Sequence, residues 1–352
     1  MKQGYKPATV FLCILVILFL ALLCTACSVK NGMSDASSAL PGNEVVDAPE
    51  QQTPNADEEG SEAEDSFTEI ESEPIPMAVQ PPISTDLMPS APGTLVKSNA
   101  KATVDYSNTA SGYVMIQYNS DNGKKVKVLV TTPGATTYTY TMSKRGAYEV
   151  FPLSGGSGTY SVGVYENTSG NKYATVLTLS QTVSLSDEFA PFLLPNQYVN
   201  YSTTSKAVSL AAELVSGATT TLDKITNIYN YIIKNISYDK ELAQSVKSGY
   251  LPDIDQVLAK KKGICFDYAS LMTAMLRSQG IPTKLVVGNA GSVYHAWIST
   301  YVEEVGWVDG IIYFNGNEWK LMDPTFASSG NSSESIMEYI GNGANYSAKY
   351  LY

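Results

Sequence analysis

Residues 28–93 divide this chain before any fold is considered. They hold fourteen acidic residues against a single base, Lys30, together with nine of the 17 prolines and few large apolar side chains. Such a stretch cannot bury enough surface to offset its ordering entropy, so a disordered acidic linker is expected there. As a flexible coil its 66 residues would reach roughly 45 Å on average, more with self-repulsion and proline stiffening. The remaining 94–352 region carries 20 bases and 20 acids, so the net charge of −11 belongs to the linker and not to a folded surface. That balance offers no basic face, and no nucleic-acid partner is expected.

On the amino-terminal side, Lys2 and Lys6 precede an almost wholly apolar run over 8–26, the layout of a secretory signal. Thr25 and Ala26 before Cys27 resemble the lipobox of bacterial lipoproteins, which implies lipidation at Cys27. The rival is an uncleaved anchor, since the 19 residues of 8–26 are about long enough to span a bilayer. Residues 1–27 thus read as a lipoprotein-type signal or a membrane anchor. Both place the remainder on the extracellular face of a bacterial cell membrane, with the lysines inside. Cys24 and Cys27 have the spacing of a redox or zinc pair but lie in apolar sequence without further ligands, so they are discounted.

Residues 94–190 read as an all-β domain. Alternating β-branched and aromatic residues mark strands over 112–118, 125–131, 137–142, 159–165 and 174–185, separated by Asp121-Asn122-Gly123, Gly146, Ser154-Gly155-Gly156 and Ser169-Gly170-Asn171. Short, regularly spaced strands predict an immunoglobulin-like sandwich. Its nine tyrosines suit either half-buried strand surface or a binding face. Gly155-Gly156-Ser157-Gly158 looks like a nucleophile elbow, but Thr159 replaces the last glycine and the setting is a β-loop.

Beyond Pro191 and Pro195 the period becomes helical. Leu222, Ile225, Ile228, Tyr229, Ile232, Ile233 and Ile236 form one apolar face of a helix ending near Asn235. A second helix is expected from Cys265 to Gly280, then strands over 284–287, 294–301 and 318–322, with 311–314 a further candidate.

Three residues in this region carry chemistry. Cys265 is the only thiol beyond residue 27, and Gly263 before it lets the backbone turn so that the sulfur sits at a helix amino terminus, where the dipole favours a thiolate. His295, the chain's only histidine, opens a strand, and Asp323 closes another. If those strands are antiparallel neighbours, the carboxylate reaches one imidazole nitrogen while the other faces the sulfur: nucleophile, base and orienter. A single histidine also excludes a multi-histidine metal site. Asp253 and Asp255 are too little for calcium, and no cofactor or metal is expected.

The motifs Gly263-Ile264-Cys265-Phe266-Asp267-Tyr268-Ala269, Leu276-Arg277-Ser278-Gln279-Gly280-Ile281-Pro282, Val286-Val287-Gly288, His295-Ala296-Trp297 and Trp319-Lys320-Leu321-Met322-Asp323-Pro324 resemble the core of the transglutaminase-like superfamily over about 220–326. The resemblance implies a papain-like α+β domain within 200–352, with Cys265, His295 and Asp323 as a catalytic triad. It also implies a second oxyanion donor from upstream, for which Tyr238 and Gln256 both qualify. The function expected is a surface-anchored cysteine acyl-transfer enzyme, transglutaminase or peptidase, acting on peptide or protein amides, including cell-wall-associated ones within reach of the tether. The alternative is a non-catalytic surface module in which the same fold and the sandwich bind wall or host material. An inert structural lipoprotein is the third reading.

Overall fold

The computed structural model describes residues 45–47, 88–290, 293–303, 306–309, 311–314, 319–322 and 346–352. The apolar amino-terminal run with Cys27, most of the acidic linker, and Asp323 lie outside the described residues. The described residues fall in one compact unit.

The β-rich part begins with β1 (Val45–Asp47), β2 (Val96–Ser98), β3 (Ala102–Asp105), β4 (Tyr113–Tyr118) and β5 (Val126–Thr131). It continues with β6 (Thr137–Thr141), β7 (Tyr148–Pro152), β8 (Gly158–Ser169) and β9 (Lys172–Val183). Two antiparallel sheets result, ordered β2-β3-β4-β7 and β1-β9-β8-β5-β6. Period-two alternation gives each sheet one apolar face: Val104, Val114, Ile116 and Phe151 from the first sheet share a core with Val128, Val130, Val162 and Val164 from the second. Tyr118, Tyr138, Tyr140 and Tyr160 are buried in that core. The Gly155-Gly156-Ser157-Gly158 turn is held by Tyr160, whose hydroxyl accepts the Gly155 N–H at 2.8 Å.

The second part comprises α1 (Lys206–Leu214), α2 (Thr221–Asn235), β10 (Ser237–Tyr238), α3 (Lys240–Ser245), α4 (Ile254–Lys260), β11 (Lys262–Gly263) and α5 (Cys265–Ser278). Then come β12 (Thr283–Ala290), β13 (Val293–Val302), β14 (Gly306–Asp309), β15 (Ile311–Phe314), β16 (Trp319–Met322) and β17 (Tyr346–Leu351). The α2 boundary follows from Thr220, whose side chain accepts the Asp223 N–H at 3.1 Å while Asp223 accepts the Thr220 N–H in return, a capping box. Every residue of α5 is buried, because α1, α2 and α4 cover it on one side and β12 and β13 on the other. A helix covered all round needs no single apolar stripe, but its polar groups need partners. Arg277, fully buried, donates to the carbonyl oxygens of Thr283 (2.8 Å), Leu194 (2.6 Å) and Tyr352 (2.6 Å). Burial draws its pKa down to about 10, which leaves it charged at neutral pH.

Among the described residues the main sheet of this part has the order β14-β13-β12-β17. β16, the strand leading to Asp323, pairs with β15, and β15 lies close to β13; Asp323 itself is outside the described residues. β14 folds back along β13 at Ser299 to Val302, past His295.

The two parts are joined by an aromatic seam. Tyr140 of β6 stacks on Tyr198 at 5.5 Å, Tyr198 packs against Phe266 at 5.4 Å, and Tyr352 lies edge-on to Tyr138, Tyr140 and Tyr198 at 5.4, 5.8 and 4.7 Å.

Candidate active site

The approach to Cys265 is fixed from both sides. Lys261 ends α4 in the left-handed conformation, with φ of 51°, and the chain then enters β11, which pairs in parallel with β10 so that Gly263 lies opposite Tyr238. The Ser237 and Asp239 N–H groups donate to the Lys261 and Gly263 carbonyls, each at 2.9 Å. Glycine is required at 263 by space: a Cβ there would stand 2.7 Å from the Asp267 Cβ. Asp267, fully buried, turns back to accept the Ile264 N–H at 2.9 Å and the Tyr250 hydroxyl at 2.7 Å. Cys265 follows as the first residue of α5, only 2% exposed, at the end of the helix where N–H groups and the dipole favour negative charge.

His295 stands on β13 opposite Gly288 of β12 and is 5% exposed. Its ring lies nearly parallel to that of Trp297, with centroids 6.4 Å apart, as expected for residues two apart on one strand face. Gly288 admits the close approach of β17: a Cβ there would meet the Ser347 carbonyl oxygen at 2.1 Å and the Trp297 ring at 2.9 Å. Because α5 packs on β13, the helix that begins with the thiol lies against the strand that carries the imidazole. Asp323 follows Met322, the last residue of β16, and lies outside the described residues.

Charge around the helix start is acidic. Burial raises the Asp267 carboxyl above the usual carboxylate range, against the hydrogen bonds from Ile264 and Tyr250 that pull it down. Burial, and then the charge of Asp267, push the Tyr250 phenol up in turn. Of the two upstream oxyanion candidates, Tyr238 is half-buried beside the Gly263 strand and Gln256 is exposed on α4. Asp253 and Asp255 serve helix starts, accepting the Gln256 N–H (3.1 Å) and the Ala207 N–H (3.0 Å). No cluster of three potential metal ligands occurs among the described residues.

Residues 208–310 match the model of the transglutaminase-like superfamily. The chain therefore carries a transglutaminase-like domain, an α+β fold, in the stretch that contains Cys265 and His295. A Bacillus subtilis (strain 168) protein, the uncharacterized YebA, is 30% identical over 120 residues, 28% of this chain and 16% of that protein. The chain thus matches about one sixth of that relative's length. Among solved structures, a candidate cysteine protease from Cytophaga hutchinsonii is similar with a TM-score of 0.35 at 14% identity, over 74% of each chain. The red sea bream transglutaminase is similar with a TM-score of 0.27 at 12% identity, over 62% of this chain and 48% of that one.

Sequence reasoning named Cys265 and His295 but assigned nothing to Asp267, Tyr250 or Gly288. Asp267 and Gly288 stood inside the motifs, and their surroundings explain why. Tyr250 carried no signal, since its role depends on a contact with a helix that starts well beyond it.

Proposed function

We propose that this chain is a surface-anchored, cysteine-dependent acyl-transfer enzyme acting on peptide or protein amide bonds. The observation that carries the reading is the placement of the only thiol beyond residue 27 at the start of a buried helix that packs on the strand bearing the only histidine. In this mechanism the Cys265 thiolate attacks the amide carbonyl carbon, and the Cys265 N–H receives the developing oxyanion. His295 protonates the departing amine as the C–N bond breaks, leaving a thioester. Water or a second amine, deprotonated by His295, then displaces the thiol. Asp323 holds the imidazole tautomer, as in other triads. Lipidation at Cys27, or an uncleaved anchor over 1–27, fixes the chain to the outer face of the membrane. The acidic linker spaces the folded part away from it, and the two-sheet part is an immunoglobulin-like sandwich supporting the catalytic domain.

The test is a pool of unstructured peptides incubated with the protein, with and without a primary amine, and read by mass: hydrolysis adds water and transfer adds the amine. Cys265→Ala and His295→Ala should each lower turnover by about a hundredfold or more. Turnover unchanged in Cys265→Ala contradicts the proposal. The rival non-catalytic module draws on the low exposure of thiol and imidazole, and it predicts no mass change in any sample.

A further inference from the structure

Asp267 is a buried acid in an unusual place. It occupies the third position of α5, in the same turn as Cys265, and two donors point at it: the Ile264 N–H at 2.9 Å and the Tyr250 hydroxyl at 2.7 Å. Both contacts suit the ionised form, which only accepts. Its Cβ fills the space that a side chain at Gly263 would need. One carboxylate therefore joins the strand entering the site, the cap of the helix and the loop before α4. Of the charged groups around it, Asp239 after β10 opposes its charge, Lys260 at the end of α4 favours it, and Tyr250 contributes a neutral hydroxyl. No ion pair to Asp267 occurs among the described residues.

We propose that Asp267, clamped by Ile264 and Tyr250, is a positioning residue of the acyl-transfer site that fixes the Gly263–Cys265 turn and sets how readily the Cys265 thiol ionises. The proposal rests on the enzymatic reading above for its purpose, though not for its test. Two anions in one helical turn compete for the same N–H groups and the same dipole. A carboxylate that already takes the Ile264 N–H raises the cost of a thiolate beside it. Asp267 thus stabilises the geometry of the nucleophile while restraining its ionisation, and the imidazole of His295 becomes the partner that tips the balance toward thiolate.

The experiment measures the alkylation rate of Cys265 by iodoacetamide against pH in the detergent-solubilised full chain, read by mass on the Cys265-bearing peptide so that Cys13, Cys24 and Cys27 do not contribute. Asp267→Asn keeps an oxygen for the Tyr250 hydroxyl but removes the charge and the acceptor for Ile264. Its midpoint should fall by about one pH unit relative to the unsubstituted chain, the scale of a like charge removed at close range. Where Asp267→Asn fails to fold by circular dichroism, Asp267→Ser removes the same charge and should show the same shift. A folded neutral variant whose melting temperature falls while its alkylation midpoint stays in place would mean a purely structural cap, and overturns the proposal. His295→Ala, run in parallel, separates the two claims: an effect there without one at Asp267 removes the clamp and leaves the enzyme. An effect at Asp267 without one at His295 removes the enzyme and leaves the clamp.

Discussion

Glu166 shows how a single side chain can tie this fold to pH. It lies on β8 and is reached by the Tyr118 hydroxyl from the opposite sheet, by Lys101 (2.9 Å), by Asn122 (3.0 Å) and by Lys124 (3.1 Å). Burial alone would raise its carboxyl, but these bonds outweigh burial and hold it at about 2, against an ordinary value of 4.5. A depressed folded value means that the contribution is fully present above 4.5 and is lost as pH falls from there toward 2. Thermal unfolding across that window should show a decline that Glu166→Gln flattens; an equal decline in the variant would place the acid sensitivity elsewhere. None of these partners was legible from sequence, because Tyr118 and Glu166 belong to different sheets and only the closed sandwich brings them together. At the site, by contrast, Cys265 and His295 stood out from scarcity alone, one thiol and one imidazole in the folded part.

At the scale of elements, long periodic segments were readable and short ones were not. The stripe from Leu222 to Ile236 predicted α2 almost to its ends, and β4, β5, β6, β8 and β9 all lie where alternation put them. The helices α1, α3 and α4, with nine, six and seven residues, are too short for periodicity to separate them from loops. The last strand was missed for a different reason. Tyr346–Leu351 follows a stretch rich in Asn, Ser and Gly, and its partner β12 lies far upstream, so nothing local announces the pairing. That strand makes a sharp demand on Gly288, which needs no unusual backbone angle but has no room for a Cβ beneath Ser347. Gly288→Ala should cost about 1–3 kcal/mol, the range for overpacking a close contact, measured by chemical denaturation. A variant as stable as the parent would show that β17 does not hold this register.

For the whole molecule, the sequence divided the folded part into a sandwich and a transglutaminase-like domain and left the sandwich without a role. The seam of Tyr138, Tyr140, Tyr198, Phe266 and Tyr352 supplies one: it joins β6 to the residue that follows Cys265, with the Leu351 N–H bonded to the Tyr138 hydroxyl at 3.2 Å. Tyr138 and Tyr140, two of the nine tyrosines of the β-rich part, thus serve as cement between the parts, a role that depends on which strands meet. Calorimetry of residues 88–352 should therefore give one cooperative transition, and two resolved transitions would contradict a shared core. The central claim, that Cys265 is an activated nucleophile paired with His295, is tested most directly on the same fragment, which holds a single thiol, by its alkylation rate against pH beside His295→Ala. The account predicts fast alkylation persisting well below pH 7, with the rate falling or the profile shifting in His295→Ala. A slow rate that rises only near the ordinary thiol value of about 8.5, unchanged by the substitution, would contradict it.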